Sequence, residues 1–303
     1  YYIIILASPI KTTGDKTMIT FPCCKINLGL NVVSRRPDGY HDIETVFYPI
    51  PLTDALDVKL MDKDYPSDVP CDLLVKTHYG TAQTIDTSCP EQENLVCRAY
   101  NIIARDFNLP RVHAHLIKRI PSQAGLGGGS SDAAAMIRLL DERFRLNMGI
   151  AEMERYAAML GADCAFFITS EPAYATGIGD KLQPIDGKTR QLEGYHIALV
   201  KPDIAVSTGK AYGMITPKKP EICCRDIVKR PIDEWRGLLV NDFEAPVFAM
   251  HPELGLIKER LYAMGAVFAL MSGSGSTVFG IFRDEVKDLA TEFADCFTKD
   301  ILL

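Results

Sequence analysis

Apolar and polar residues alternate over residues 18–34 and again over 43–60, with β-branched side chains in both stretches. That period predicts two extended strands. They are joined by a turn rich in breakers, Arg35-Arg36-Pro37-Asp38-Gly39-Tyr40-His41. The spacing then changes: Leu95, Ala99, Ile102 and Ile103 line one stripe of a helix predicted over residues 94–107. Residues 112–120 alternate once more and run into Pro121. A helix is predicted from Ser131, capped by Ser131 or Asp132, through Ala133, Met136, Ile137, Leu139 and Leu140, with no breaker before Gly149. Residues 151–160 predict a second short helix stopped by Gly161, and residues 164–168 a buried strand.

The second half repeats this mixture. Strands are predicted over 196–200, 267–271 and 277–282, the last two around a glycine-serine turn. Helices are predicted over 252–264, ended by Gly265, and over 285–297, where the spacing is amphipathic. Strands and helices interleave without the regular beat of a doubly wound sheet, which points to an α+β class. The pattern breaks up near residues 183–193, at Pro184, Gly187 and Gln191, so two domains are expected, 18–186 and 187–303. Residues 1–17 are expected to be an appendage, an upstream extension of the true start. Fold reasoning therefore begins at Met18.

The length, 303 residues, suits two domains. With 47% hydrophobic and 24% charged residues the chain is globular in composition, which excludes intrinsic disorder. Its formal charge of −6 argues against a protein that grips nucleic-acid backbones, so any phosphate recognition must be local. The nine cysteines include two adjacent pairs, Cys23–Cys24 and Cys223–Cys224, but no spacing typical of a zinc site or a disulfide framework. Reduced thiols in a cytoplasmic protein are the expectation. No apolar run approaches the ~20 residues of a membrane span.

The segment that carries chemistry is Pro121-Ser122-Gln123-Ala124-Gly125-Leu126-Gly127-Gly128-Gly129-Ser130-Ser131. Glycines after a strand and before a helix leave backbone N–H groups free to converge, and the helix N-terminus adds positive potential, so the point suits an anion. It has neither the Gly-Lys-Ser/Thr ending of a P-loop nor a dinucleotide fingerprint.

This segment resembles the phosphate loop of the GHMP kinase superfamily. Pro22-Cys23-Cys24-Lys25-Ile26-Asn27-Leu28 and Met271-Ser272-Gly273-Ser274-Gly275-Ser276-Thr277 resemble that superfamily's other two signatures. Within it, Lys25-Ile26-Asn27-Leu28, Arg36-Pro37-Asp38-Gly39-Tyr40-His41, Gly161-Ala162-Asp163 and Asn241-Asp242-Phe243-Glu244 resemble the branch that phosphorylates a cytidine diphosphate-linked methylerythritol. The resemblance runs from about Met18 to beyond Phe282. Two cysteines precede Lys25 where the family commonly has Ser-Pro-Ala, without loss of a functional group.

The resemblance implies an N-terminal domain like ribosomal protein S5 domain 2, a ferredoxin-like C-terminal domain and an active site in the cleft between them. It implies transfer of the ATP γ-phosphoryl group to the substrate's 2-hydroxyl, with Mg2+. Such a reaction needs a donor cradle, a base and cationic help. By resemblance the cradle is Pro121–Ser131, Asp163 is the base and Lys25 polarises the hydroxyl; Asn27 lies near the reacting centre. Asn94 is either a helix cap or a residue beside the adenine. Lys118 is placed to meet nucleotide phosphate or base, or is simply solvated. Tyr40 and His41 look like the cytosine site, with Tyr212 as the opposing ring and Thr208 near the diphosphate. A homoserine or mevalonate kinase would have no base for Tyr40 to stack on. The glycine-serine turn at Ser272–Ser276 either backs the glycine loop or touches substrate phosphate. A small-molecule partner is expected, with no nucleic acid and no membrane, for a monomer or weak homodimer.

Overall fold

The computed structural model of the protein describes residues 18–79, 82–85, 89–185 and 192–303. The predicted appendage, residues 1–17, and most of the predicted domain boundary lie outside these. The chain forms two compact units that alternate along its length. One holds residues 18–24, Leu52–Ile120 and Gly127–Ser170; the other holds Lys25–Pro51, Pro121–Leu126 and Glu171–Leu303.

Strands β1 (Met18–Thr20), β2 (Cys23–Arg35) and β3 (His41–Thr53) open the described chain. They are followed by β4 (Ala55–Leu60), β5 (Cys71–Tyr79), β6 (Ala82–Ile85), helix α1 (Leu95–Phe107) and β7 (Val112–Lys118). The two predicted alternating runs are interrupted at Phe21-Pro22 and at Asp54, and the turn between them falls where expected. The first unit is built on the sheet β1-β4-β7-β5-β6, in which β5 and β7 are parallel and the other pairs antiparallel. Over it lies α1, which buries Val96, Ala99, Tyr100 and Ile103 against α2 (Gly128–Phe144) and β5. Helices α3 (Ile150–Ala158) and α4 (Phe166–Thr169) complete the unit.

In the second unit β2 and β3 continue into a sheet with β8 (Ala173–Thr176) and β9 (Lys181–Pro184). Four further strands follow around helices: β10 (His196–Pro202), α5 (Thr208–Gly213), α6 (Cys224–Ile227), α7 (Glu244–Met250), α8 (Pro252–Ala263), β11 (Phe268–Met271), β12 (Val278–Phe282), α9 (Leu289–Glu292) and β13 (Cys296–Leu302). Their antiparallel order, β11-β12-β10-β13, is that of a β-α-β-β-α-β unit, the ferredoxin-like arrangement expected. Its core gathers Leu30, Val32, Phe243, Val247, Leu254, Leu261, Met271 and Val278, all at most 4% exposed.

Three local expectations are corrected. Residues 164–168 are not a strand: a turn leads into α4, where Phe166, Phe167 and Ile168 are all buried. A short apolar run fits a buried helix as well as a strand. Residues 285–297 are not one helix. Asp288 adopts a left-handed conformation (φ 60°), α9 lasts four residues, and the chain then pairs as β13 along all seven residues of β10. Tertiary pairing overrides the helical spacing there. Finally, α2 starts at Gly128 rather than Ser131, with left-handed Gly127 (φ 71°) before it and no side-chain cap, and it stops at Phe144 on left-handed Arg145. Ser131 and Asp132 are therefore inside the helix.

Asp132 faces the end of β7. The Lys118 ammonium donates to Asp132 Oδ2 at 2.6 Å and also to Asp54 Oδ2. Asp54 uses its other oxygen to accept the N–H groups of Arg119 and Ile120. Asp54, Lys118 and Asp132 are all buried. Burial pushes the Asp132 carboxyl up to about 7, with Lys118 opposing and Asp54 reinforcing the rise. Burial also disfavours the Lys118 charge, but Asp132 and Asp54 outweigh it and raise the ammonium above its ordinary range. One lysine thus fastens helix α2 to two strand ends.

Removing one member of a buried ion pair typically destabilises by about 3–5 kcal/mol. Lys118→Met should lower the unfolding free energy by about that much in chemical denaturation at neutral pH. Without the cation the Asp132 carboxyl, already raised to about 7, rises further, so above that pH the folded variant binds protons more tightly than the folded parent. The loss should then grow as the pH is raised above about 7 and level off below it. A loss below about 1 kcal/mol at pH 7 would show that the triad does not fasten the unit.

Candidate active site

The glycine segment leaves Pro121 with both Gln123 (φ 50°) and Gly125 (φ 73°) in left-handed conformations. Ser122 and Gln123 are exposed, while Ala124 and Leu126 anchor it from below. Gly125 has no room for a side chain: a Cβ there would stand 2.0 Å from the Ser272 carbonyl oxygen. The Ser272 hydroxyl donates to Gly125 O at 2.9 Å, and the Thr277 N–H donates to Ala124 O at 3.2 Å. The glycine-serine turn therefore backs the segment, as one of its two readings expected. Asn241 holds that turn in place by donating to Met271 O (2.7 Å) and Gly273 O (2.8 Å) while its own Oδ1 accepts from Phe243 N–H. Sequence reasoning used Asn241 only as part of a motif; a lone Asn gives no sign of which carbonyls it will bridge.

Lys25 sits on the same segment. Its N–H donates to Leu126 O (2.9 Å), and its ammonium donates to Gly125 O (3.1 Å) and Asn27 Oδ1 (2.7 Å). It also lies over the Phe47 ring, 5.1 Å from the centroid, in a cation–π contact. Strand alternation puts Lys25 and Asn27 on one side of β2. Asn27 is 1% exposed and is fixed in turn by donating to Thr45 Oγ1 (2.9 Å), whose hydroxyl donates to Gly29 O. The amide orientation of Asn27 follows from that chain of donors. Thr45, a further residue that sequence reasoning missed, sets which face Asn27 offers to Lys25.

In the other unit, Gly127, Gly128 and Gly129 lead into Ser130 and Ser131. A Cβ on Gly128 would meet Ile120 at 2.9 Å and the Lys118 ammonium at 3.2 Å, so this glycine is required by close packing. The first N–H groups of α2 are uncapped by side chains, the arrangement that receives phosphate oxygens. Lys118 was expected at nucleotide phosphate or base, or solvated. It is not solvated: the side chain is buried and its ammonium is held by Asp54 and Asp132. Asn94 is the cap of α1, its side chain accepting from Val96 N–H at 2.9 Å.

Asp163 lies half-buried in the turn before α4, where a strand mouth was expected. Next to it, burial pushes the Cys164 thiol up to about 11, while a hydrogen bond from Ser130 and the neighbouring Asp163 charge act in opposite directions. The Ser130–Cys164 contact ties the Asp163 turn to the start of α2.

The base-site candidates fall in the second unit. Tyr40 closes the turn before β3 and is 62% exposed. The ring stacked on Tyr212 is His41, with centroids 4.8 Å apart and planes within 11°. Tyr212 also rests edge-on against Phe243 at 4.8 Å. Thr208 opens α5 and its hydroxyl meets Ser274 Oγ at 2.8 Å, so Thr208 joins the glycine-serine turn. Among the described residues no helix is long and apolar enough to cross a membrane.

Comparisons with known proteins identify the family. Residues 94–171 match the GHMP kinases N terminal domain, and residues 225–299 match GHMP kinases C terminal. The chain is 46% identical over 287 residues to the 4-diphosphocytidyl-2-C-methyl-D-erythritol kinase of Bacteroides fragilis, covering 94% of this chain and 100% of that protein. It is 48% identical over 269 residues to the enzyme of the same name from Bacteroides thetaiotaomicron, covering 88% of this chain and 93% of that one. A crystal structure of 4-(cytidine 5'-diphospho)-2C-methyl-D-erythritol kinase superposes with a TM-score of 0.71 at 30% identity, over 94% of this chain and 100% of that one. The mevalonate kinase of Methanococcus jannaschii, at 13% identity and a TM-score of 0.69 over 96% of this chain and 100% of that one, shares the fold. Since the first likeness is carried across nearly the whole length of both chains, this chain belongs to the GHMP kinases and, among them, to the 4-diphosphocytidyl-2-C-methyl-D-erythritol kinases.

Proposed function

We propose that the protein transfers the γ-phosphoryl group of ATP to the 2-hydroxyl of 4-diphosphocytidyl-2-C-methyl-D-erythritol, a step of the non-mevalonate isoprenoid precursor pathway. The observation that carries this reading is the Lys25 ammonium fixed on Gly125 and Asn27, which puts a positioned cation on the glycine segment. Phosphoryl transfer is catalysed by positioning and charge neutralisation more than by covalent chemistry, so such a cation is what the reaction needs.

The roles divide as follows. The glycine segment from Pro121 to Ser131 receives the ATP phosphates on backbone N–H groups and the uncapped start of α2. Asn94 lies by the adenine, and Lys118 serves the phosphates indirectly by fastening α2. Asp163 accepts or orients the proton of the attacking hydroxyl, and Lys25 polarises that hydroxyl. Asn27 keeps Lys25 in place. Tyr40, His41 and Tyr212 supply aromatic surface for the cytosine, and Thr208 borders the diphosphate.

Magnesium takes oxygen ligands, and the start of α2 offers them. Ser130 and Ser131 carry hydroxyls in its first turn, and Asp132 Oδ1 is buried without a hydrogen-bond partner among the described residues. These residues would hold the ion, and when bound it would neutralise phosphate charge. The protein is read as an intracellular enzyme acting on a small molecule.

The decisive assay is ADP release with a panel of alcohols: the cytidine diphosphate-linked methylerythritol should turn over, and homoserine and mevalonate should not. Turnover of either of those alone would reassign the substrate. Loss of a general base lowers rates by about 10²–10⁴-fold, so Asp163→Asn should reduce kcat on that scale with ATP affinity nearly unchanged. A variant that keeps most of its turnover would move the base elsewhere.

Stacking of a base on an aromatic ring is worth about 1–3 kcal/mol by alanine substitution. Tyr40→Ala should accordingly weaken substrate binding by about five- to a hundred-fold while ATP affinity holds. His41→Ala should do the same and also blunt discrimination between cytidine and uridine forms. Equal weakening of ATP and substrate, read by calorimetry, would make this turn scaffolding.

A further inference from the structure

The second adjacent cysteine pair is unused by the phosphoryl-transfer chemistry. Cys223 caps α6 and is partly exposed; Cys224, the first residue of that helix, is 1% exposed. Opposite them stands Glu44 of β3, a carboxylate only 9% exposed. The ligand atoms of Glu44, Cys223 and Cys224 all lie within 4.8 Å of one another. A carboxylate in such a core is disfavoured unless it is hydrogen-bonded, paired or coordinated.

The surroundings orient the three groups. The Cys224 N–H donates to Glu44 Oε1 at 3.3 Å, and the Tyr174 hydroxyl donates to Glu44 Oε2 at 3.0 Å. Such partners fix a ligating carboxylate in place. Arg225 lies over the Tyr174 ring, 5.0 Å from its centroid, and covers that side.

We propose that Glu44, Cys223 and Cys224 form a binding site for a soft divalent cation of the zinc class. Two sulfur ligands select for zinc or cadmium over magnesium or calcium, and three protein ligands leave a fourth tetrahedral position open. Donor atoms around a tetrahedral zinc ion lie roughly 3.4–3.8 Å apart, so side-chain rotation alone can close the observed spacing. Occupancy would clamp α6 to β3. The site needs no contribution from the ATP-binding residues and does not depend on which substrate the enzyme takes.

The test uses the full chain, reduced and stripped of metal, in a Cys89→Ser background that removes an exposed thiol. Titration with Cd2+ should give the ultraviolet thiolate-to-cadmium absorption with one-to-one stoichiometry, and Zn2+ should displace it. Cys223→Ser should weaken Cd2+ binding by at least about ten-fold, as should Cys224→Ser. Glu44→Gln should weaken binding while keeping the thiolate absorption. Ligands that bind only the folded state raise Tm, so Zn2+ should raise Tm in the parent and not in Cys223→Ser, whose fold is checked by circular dichroism. Cd2+ affinity and stoichiometry unchanged in folded Cys223→Ser would overturn the site. So would a parent that binds Cd2+ no better than the double variant Cys223→Ser/Cys224→Ser.

Discussion

A single carbonyl organises the second unit's share of the candidate site. Gly125 O accepts both the Lys25 ammonium and the Ser272 hydroxyl, and the absence of a side chain on Gly125 is what lets the Ser272 backbone approach. Three segments about a hundred residues or more apart in sequence meet there. If the glycine carried a methyl group, the glycine-serine turn would have to withdraw along with the Asn241 bridges that hold it, while Lys25 would keep its strand and its bond to Asn27. The same constraint explains why the turn is rich in small residues. It is a backing, pressed against another stretch of backbone, and bulk on either side would separate them.

Two lysines, Lys118 in the first unit and Lys25 in the second, show how one residue type is given two duties. Lys118 is enclosed by a pair of buried carboxylates and acts as a fastener between strand ends and helix α2. Lys25 reaches backbone and amide oxygens on the glycine segment and lies over an aromatic ring. The helix that Lys118 fastens is also the one whose first N–H groups are uncapped, so a buried ion network sets the direction in which those groups point.

Much of this was legible in the sequence, for physical reasons that differ from place to place. Period-two alternation gave the strands of both halves, because half-buried sheets require it. The glycine segment was legible because a run of such residues after a strand has few other uses. Residues 164–168 were misread since Phe166, Phe167 and Ile168 are buried on all sides, and periodicity is silent where every position is apolar. Residues 285–297 were misread because β13 is decided by its partner β10, a hundred residues earlier. Asp54 and Thr45 could not be picked out at all: their importance lies in which groups the fold brings to them, Lys118 in one case and Asn27 in the other.

The alternation of the two units along the chain has a consequence for synthesis. The first unit's last segment ends at Ser170, whereas the second unit combines Lys25–Pro51 with Glu171–Leu303. A ribosome adding about 5–20 residues per second therefore finishes the first unit on the order of ten seconds before the second can close. During that interval β2 and β3 have been made, but β8, β9 and the helices that cover Leu30, Val32 and Ile43 have not. The nascent chain must carry an apolar, unpaired sheet edge through this window, so the rate of translation past residue 171 sets how long it is open to misassociation.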